Sequence, residues 1–283
     1  MSHLNNLPPA EVKQRREDEV SSNFTIPIDD GVLFLRSWSP LSPTDTAVLI
    51  LHGITAHSKP YSVLAENITS VGFQAFGLDL RGHGLSDGTR GDYHSNEELK
   101  QDLQSTLAFI KNQGYEHIII LGHSLGVVTA LKIVQHHLGD LAGVALFSAA
   151  LKTRESVYPT PSLLQKLKIL VNSLLRPSHP IITYHRQGMQ GVDDPLFNFK
   201  YTYRFMKIFS QETIQIPITI DVPLFFGIGD KDELFDVKDA KDLFDQIQAD
   251  DKMFDIMKDS THAEFTETAF DEFTTWLSMK FGK

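Results

Sequence analysis

The fold is decided by the stretch Ile118-Ile119-Ile120-Leu121-Gly122-His123-Ser124-Leu125-Gly126. Its first four residues are apolar and rich in β-branched side chains, which predicts a strand buried on both faces. Residues 127–138 continue with helical periodicity, and we expect the helix to run until Gly139. A serine between two glycines at a strand-to-helix corner is typical of a nucleophile elbow, where only glycine leaves room for the neighbouring chain. Ser124 is therefore the candidate nucleophile.

A second Gly-x-Ser-x-Gly run occurs earlier, at residues 84–88, with Ser86 at its centre. It is followed by Thr89-Arg90-Gly91-Asp92, which is loop composition rather than the start of a helix. Because an elbow needs a helix after the serine, we interpret Ser86 as a structural residue of a glycine-rich loop.

Composition limits the possible classes of protein. The chain has 283 residues, of which 41% are hydrophobic and 22% charged, as in an ordinary soluble globular domain. A formal net charge of −10 argues against nucleic acid or an anionic membrane as a main partner. The absence of cysteine excludes disulfides and thiol chemistry. With no signal-peptide pattern and no run of ~20 apolar residues, we expect a soluble, cytoplasmic protein.

Strand and helix patterns alternate along the chain, which predicts an α/β fold with a mostly parallel sheet and helices on both faces. Between residues 151 and 215 the alternation stops, and a helical cap inserted over the ligand edge of the sheet is expected there. The predicted segments are a solvated, partly helical or disordered lead-in at 1–20, a first core part at 21–150, the cap at 151–215 and a second core part at 216–283.

The predicted cap contains two helical patterns, at residues 161–175 and 194–209. The second is rich in aromatic residues. We expect most of them to pack against the main domain and a few to line an apolar pocket, with Phe197 and Tyr201 as candidate substrate contacts.

A serine hydroxyl needs a general base, and the base needs a third group that orients it. In this topology the partners follow in the order serine, acid, histidine, each at a strand end. His262, the last histidine of the chain, follows the final predicted strand and is the candidate base. The acid is Asp232 or Asp230, which both follow the preceding strand. We favour Asp232, because the apolar Phe235 can anchor its loop.

A tetrahedral intermediate needs two backbone N–H donors, each contributing ~2.7–4 kcal/mol. The residue after the nucleophile, Leu125, supplies one candidate donor. The loop after the third strand, where His52-Gly53 turns the chain, makes Ile54 the other.

Several of these motifs together resemble the α/β-hydrolase family of monoacylglycerol lipases and lysophospholipases. The resemblance covers about residues 21–283 and is carried by His52-Gly53, His57-Ser58, Tyr61, Asp79, Arg81-Gly82-His83-Gly84-Leu85-Ser86-Asp87-Gly88 and the elbow. It implies a serine esterase that acts through an acyl-enzyme, with a helical cap over an acyl-chain pocket and without a cofactor. The implied substrate is a small-molecule ester or lipid, such as a monoacylglycerol or lysophospholipid. Val127 departs from the family, which usually has a second glycine there, and we expect altered helix packing beneath the serine.

The remaining histidines carry less weight. His123 stands beside the nucleophile and is a candidate substrate contact, and His83 is interpreted as structural. His136-His137 lacks a carboxylate at metal-ligand spacing, so we expect no metal site. The predicted cap is also a candidate for transient contact with a lipid surface.

Two alternative functions stay open. A proline iminopeptidase-like enzyme on the same fold would need an acidic pair to hold the substrate amine, and Asp193-Asp194 could do so, although a helix cap is their expected role. A non-catalytic ligand-binding protein on a hydrolase scaffold is the other alternative.

Overall fold

The computed structural model describes residues 7–19, 21–150, 162–185, 189, 191 and 193–282. The helices are α1 (Pro9–Glu19), α2 (Ser62–Ser70), α3 (Asn96–Asn112), α4 (Leu125–Gln135), α5 (Leu163–Leu175), α6 (Tyr203–Ile208), α7 (Val237–Gln246) and α8 (Asp271–Phe281). The strands are β1 (Phe24–Ile28), β2 (Gly31–Trp38), β3 (Thr46–Leu51), β4 (Gln74–Asp79), β5 (His117–His123), β6 (Gly143–Phe147), β7 (Ile182–Thr183), β8 (Lys200–Tyr201), β9 (Ile218–Thr219), β10 (Leu224–Gly229), β11 (Ile247–Gln248) and β12 (Lys252–Met257).

Eight strands form one sheet in the order β1-β2-β4-β3-β5-β6-β10-β12. Strands β1 and β2 form an antiparallel hairpin, and β2 pairs antiparallel with β4. In the rest of this sheet, along the order β4-β3-β5-β6-β10-β12, all neighbouring strands are parallel. The predicted α/β fold with a mostly parallel sheet is therefore confirmed. Because parallel strands end at the same edge, the loops after β3, β5, β10 and β12 meet there.

Both faces of the sheet are covered. Leu49 of β3 packs in one apolar cluster with residues of α3, α4 and α7, whereas Val48 and Ile50 pack in a second cluster with α2 and α8. Successive side chains of a strand point to opposite faces, so an uninterrupted apolar strand needs cover on both sides. This explains the unbroken apolar runs that predicted the sheet.

The corner between β5 and α4 is sterically tight. A Cβ atom on Gly122 would lie 2.4 Å from the carbonyl oxygen of Gly126. A Cβ atom on Gly126 would lie 2.0 Å from the carbonyl oxygen of Leu51, the last residue of β3. Val127, the departure from the family pattern, is buried in the apolar cluster beneath the corner. Both glycines of the motif are thus required by contact with backbone atoms.

The serine of the other Gly-x-Ser-x-Gly run is a buried loop residue. The Ser86 hydroxyl donates to the carbonyl oxygen of Asp79 and accepts the Phe34 N–H at 2.8 Å. No helix follows it, and the chain continues through turns to α3. Ser86 therefore joins a loop to β2.

The predicted helix at 194–209 is wrong for most of its length. Only Tyr203–Ile208 is helical, and Lys200–Tyr201 forms a short antiparallel ladder with Ile182–Thr183. The Thr202 side chain accepts the Phe205 N–H and caps the helix at that point. The aromatic residues upstream recur at every second position, which is the period of a strand rather than of a helix. Because no helix begins there, the expected role of Asp193-Asp194 as the N-terminal cap of a helix is also wrong.

Two further expectations need correction. The helix after the elbow ends at Gln135 rather than near Gly139, because His137 adopts a positive φ of 48°. The lead-in is helical over Pro9–Glu19, as one of the expected alternatives has it, but it is not simply solvated: α1 buries Val12, and the Arg16 guanidinium donates to the Leu85 carbonyl oxygen at 2.6 Å. The N-terminal helix thus packs against the glycine-rich loop.

The segment boundaries, including the cap at 151–215, stay a prediction. Residues 151–161 lie outside the described residues, and the described part of the segment contains α5, β7, β8 and α6. Within the described chain, no helix combines the length and apolarity needed to cross a membrane.

Replacing Gly126 by alanine tests the steric account of the corner. The added methyl group would overlap the Leu51 carbonyl oxygen, so we expect Gly126→Ala to lower the free energy of unfolding by about 2 kcal/mol or more, measured by urea denaturation. Gly139→Ala is the matched control, because the atoms nearest to its methyl group all belong to the Leu107 side chain, at 3.0 Å or more, rather than to a backbone carbonyl group at 2.0 Å. Equal stability of Gly126→Ala and wild type would contradict this account.

Candidate active site

Ser124 occupies a strained backbone conformation between β5 and α4. Its φ is 56° and its ψ is −118°, a region that residues with a side chain rarely adopt. The Ser124 N–H donates to the carbonyl oxygen of Phe147 at 3.0 Å, which ties the corner to the end of β6. The hydroxyl is consequently held at the carboxyl edge of the sheet, at the N-terminus of α4.

His262 lies between Ser124 and Asp232. Its Nε2 atom is 2.9 Å from Ser124 Oγ, and its Nδ1 atom is 3.0 Å from Asp232 Oδ2. An ionised carboxylate only accepts hydrogen bonds, so Nδ1 carries the proton and Nε2 is free to accept from the serine hydroxyl. The structure thus brings together the three residues that the chain order predicted.

Asp232 is buried and held by its own loop. Its Oδ1 atom accepts the N–H groups of Leu234 at 2.8 Å and Phe235 at 3.0 Å. Burial by itself raises the pKa of Asp232, but hydrogen bonding to and charge interaction with His262, together with the two amides, outweigh it and hold the pKa below its usual value. Asp230 is exposed instead. Of the two candidate acids, Asp232 is the one in contact with His262.

The loop after β3 faces Ser124. A Cβ atom on Gly53 would lie 3.4 Å from Ser124 Cβ. The Gly53 carbonyl oxygen accepts from His52 Nδ1 at 2.8 Å, and the Ile54 carbonyl oxygen accepts from the Tyr201 hydroxyl. Among the described residues, the N–H groups of Ile54 and Leu125 have no hydrogen-bond acceptor. The loop is thus fixed by its other polar groups, while the two predicted oxyanion donors stay available.

A cavity of about 600 Å³ opens beside Ser124 and His262. Its charged lining residues, Lys231, Glu233 and Glu264, all lie on the loops after β10 and β12. Its apolar lining comes from several elements, these two loops included, and consists of Ile54, Ala56, Pro60, Val63, Leu64, Met189, Phe197, Leu234, Ala263, Phe265 and Phe270. The cavity therefore combines a few charged groups near His262 with a largely apolar lining, which suits an amphipathic ligand.

The three candidate substrate contacts differ in their position relative to the cavity. Phe197 lines the cavity. Tyr201 does not, because it is fully buried and its hydroxyl supports the Ile54 loop, so its prediction as a substrate contact is wrong. His123 lines the cavity, but both of its ring nitrogens are hydrogen-bonded to protein groups, so no free nitrogen is left for a substrate.

Glu233 and Tyr61 also contact the site, although no sequence motif predicts these contacts. Glu233 Oε2 accepts the backbone N–H of His262 at 2.9 Å. Tyr61 belongs to the motifs that carry the family resemblance, and its hydroxyl contacts both Gly53 and His123. These contacts join residues that are distant in the chain, and local patterns do not encode them.

The remaining candidate groups lie away from Ser124. Asp194 Oδ2 is 3.1 Å from His57 Nε2, and neither Asp193 nor Asp194 lines the cavity. His83 is buried, and burial lowers its pKa well below the usual value. Within the described ranges, no group of three or more histidine and acidic residues is arranged to hold a metal ion.

Known proteins resemble this chain over most of its length. A model of the family described as "Serine aminopeptidase, S33" matches residues 42–269. The chain is 26% identical over 270 residues to a monoglyceride lipase of Homo sapiens, covering 89% of this chain and 88% of that protein. It is 23% identical over 260 residues to a monoacylglycerol lipase of Mycolicibacterium smegmatis, covering 85% and 90%. The crystal structure of Paleococcus ferrophilus monoacylglycerol lipase superimposes with a TM-score of 0.68 at 24% identity, covering 88% of this chain and 99% of that one.

The sheet order and the serine at the β5–α4 corner define an α/β-hydrolase. More particularly, the chain belongs to the S33 serine aminopeptidase family, since the family's model matches well over half of it. The predicted resemblance to monoacylglycerol lipase-like hydrolases is confirmed, and these relatives support carboxylic ester hydrolysis as the class of enzyme.

Exchanging each aspartate for asparagine separates the two candidate acids. We expect Asp232→Asn to lower kcat for p-nitrophenyl butyrate by about 10³–10⁴-fold, because the amide can no longer hold Nδ1–H and stabilise a charged imidazole. Asp230→Asn, on the same loop but exposed, serves as the control and should leave kcat unchanged. The reverse pattern would assign the acid to Asp230.

Proposed function

We propose that the protein is a serine esterase that hydrolyses esters with an apolar acyl chain, with monoacylglycerols as the favoured class. The observation that carries the proposal is the hydrogen-bonded series Ser124–His262–Asp232 at the mouth of a largely apolar cavity. A lysophospholipid-like ester is the neighbouring possibility. The cavity is lined by two acidic side chains, Glu233 and Glu264, and by one cation, Lys231, which is already ion-paired with Asp259, and this balance favours a neutral head group over a phosphate.

In the proposed reaction, Ser124 Oγ attacks the ester carbonyl carbon while His262 Nε2 takes the hydroxyl proton. The Asp232 carboxylate stabilises the imidazolium that forms. The N–H groups of Ile54 and Leu125 donate to the oxyanion of the tetrahedral intermediate. His262 then protonates the departing alcohol, and a water molecule, activated by the same histidine, hydrolyses the acyl-enzyme and regenerates Ser124.

The peptidase alternative has weaker support. An aminopeptidase needs a carboxylate in the site to hold the substrate amine, and the predicted pair Asp193-Asp194 does not line the cavity. Asp194 is occupied by His57 and by the Leu196 N–H at 2.9 Å. Because the name of the matched family refers to aminopeptidases, an aminoacyl substrate belongs in the test.

The substrate class is tested with p-nitrophenyl esters from acetyl to palmitoyl, monooleoylglycerol, lysophosphatidylcholine and proline p-nitroanilide. We expect kcat/KM to rise with chain length to a medium or long optimum, monooleoylglycerol to be preferred, and Ser124→Ala to abolish all turnover. Ala56→Phe, which adds a ring to the apolar lining of the cavity, should shorten the optimal chain. Hydrolysis of the anilide alone would favour the peptidase alternative. Binding of monooleoylglycerol without turnover would favour the non-catalytic alternative.

We further propose that α5 contacts a lipid surface during turnover. Its leucines are exposed, for example Leu163 at 86% and Leu174 at 73%, whereas the half-buried positions are Ile169, Asn172 and Ser173. Most apolar side chains of the helix thus point outward, the reverse of an ordinary surface helix. The helix has Lys166 and Lys168 and no acidic residue, which suits an anionic lipid interface despite the negative charge of the whole chain.

A double substitution on the exposed face tests this contact. We expect Leu167→Gln/Leu170→Gln to weaken flotation with phosphatidylglycerol vesicles and to slow hydrolysis of vesicle-borne monooleoylglycerol, while turnover of soluble p-nitrophenyl butyrate is unchanged. Leu41→Gln/Met279→Gln, which replaces two apolar residues elsewhere that are more exposed than Leu167 and Leu170, is the control. Equal flotation of the two variants would contradict the proposal. A wild-type dimer that the first variant dissociates would show that the face binds a second copy of the chain.

A further inference from the structure

All four polar groups of His262, its two ring nitrogens and its backbone N–H and carbonyl groups, have hydrogen-bond partners. Its ring nitrogens contact Ser124 and Asp232, as described above. Its backbone N–H donates to Glu233 Oε2 at 2.9 Å, and its backbone carbonyl oxygen is 2.8 Å from His123 Nε2. The loop that carries the proposed base is therefore fixed through its peptide groups as well as through its ring.

The hydrogen-bond directions at His123 follow from its partners. A carbonyl oxygen only accepts, so His123 Nε2 carries the proton and donates it to His262. Burial, followed by the neighbouring His262, lowers the pKa of His123 to about 3, so the ring is neutral. A neutral ring with its proton on Nε2 has an unprotonated Nδ1, which can only accept.

That acceptor is used by Tyr61. The Tyr61 hydroxyl is 2.7 Å from His123 Nδ1 and donates to it. Burial raises the pKa of Tyr61 above its ordinary value, so the hydroxyl keeps its proton. The same oxygen accepts the N–H of Gly53 at 2.9 Å. Tyr61 is thus the donor for His123 and the acceptor for the residue that precedes Ile54.

These bonds form one directed chain: the Gly53 N–H donates to the Tyr61 oxygen, the Tyr61 hydroxyl donates to His123, and His123 donates to the His262 carbonyl oxygen. It begins on the loop with the proposed oxyanion donor and ends on the loop with the proposed base. Both loops adjoin the cavity, and His123 and Tyr61 are 6% and 9% exposed, which protects the bonds from exchange with water.

We propose that Tyr61 and His123 are positioning residues that hold the oxyanion loop and the His262 loop in register on either side of Ser124. The inference rests on the proposed roles of Ser124, His262 and Ile54. Neither residue touches the reacting atoms through a free polar group; each acts through the peptide groups it binds. Displacement of a reacting group by about 1 Å can cost 10²-fold in rate, so this register affects the chemical step rather than substrate binding.

The experiment measures phosphonylation of Ser124 by a fluorophosphonate, because this reaction needs the nucleophile, base and oxyanion donors but no particular ester. We expect Tyr61→Phe to lower the maximal rate constant about 10–100-fold with the half-saturating probe concentration unchanged. Tyr115→Phe is the matched control, since it also removes one hydroxyl with a hydrogen-bond partner, here Gln74 at the far end of β4, and should react like wild type.

Substitutions at His123 test the other half of the chain. We expect His123→Leu to be slowed at least as much as Tyr61→Phe, and His123→Gln, which keeps an N–H donor for the His262 carbonyl oxygen, to recover part of the rate. The double variant Tyr61→Phe/His123→Leu should be no slower than His123→Leu, because both changes break one chain. Full additivity, or a Tyr61→Phe rate equal to that of Tyr115→Phe, would overturn the inference.

A second measurement needs no variant and no activity. Nitrogen NMR of ¹⁵N-histidine-labelled wild-type protein reports which ring nitrogen carries the proton, and we expect His123 to be neutral and protonated on Nε2. Protonation on Nδ1 would overturn the inference even if the variants fail to fold. Absence of ester hydrolysis would contradict the proposed function alone, since the tautomer of His123 and the reactivity of Ser124 would still be measured.

Discussion

The arrangement depends on one backbone contact, the approach of Gly126 to the carbonyl oxygen of Leu51. Only a residue without a side chain allows α4 to begin so close to β3, and Gly122 provides the same clearance on the other side of the serine. Ser124 can therefore adopt its positive φ and stand above the sheet. Because Leu51 directly precedes the His52-Gly53 turn, the same contact places this turn, which leads to the proposed oxyanion donor Ile54, next to Ser124.

The parallel sheet supplies the rest of the site at the same edge. Loops after β10 and β12 bring Asp232 and His262 to Ser124 from the far end of the sequence. The Asp232 carboxylate accepts two backbone N–H groups of its own loop, and the His262 ring is hydrogen-bonded to the side chains of Asp232 and Ser124, so the geometry depends on strands that bring these loops together. The charged residues that line the cavity come from these two loops as well, so they lie near His262.

Local sequence patterns predicted what local physics determines. The unbroken apolar strands and the glycine-flanked serine were both readable, since each depends on residues close in the chain. Local contacts also begin helix α3 at Asn96, where the Ser95 side chain accepts the Glu98 N–H and the Glu98 carboxylate accepts the N–H of His94. The choice between Asp230 and Asp232 needed tertiary contacts, because both stand at one strand end.

The failures have physical reasons too. The aromatic residues before α6 alternate, which is the period of a strand, and their apolar character alone does not distinguish a strand from a helix. Tyr201 was expected in the pocket, but its ring is buried in the core and its hydroxyl is hydrogen-bonded to the carbonyl oxygens of Ile54 and Asn198. The link from Tyr61 to His123 spans 62 residues and has no local signature.

The most direct test of the central claim is to find which serine is reactive. Wild-type protein is treated with a fluorophosphonate, digested and mapped by mass spectrometry, beside Ser124→Ala and Ser86→Ala. The account predicts one adduct, on the peptide that contains Ser124, in wild type and in Ser86→Ala, and none in Ser124→Ala. An adduct on Ser86, or labelling that survives Ser124→Ala, would contradict it.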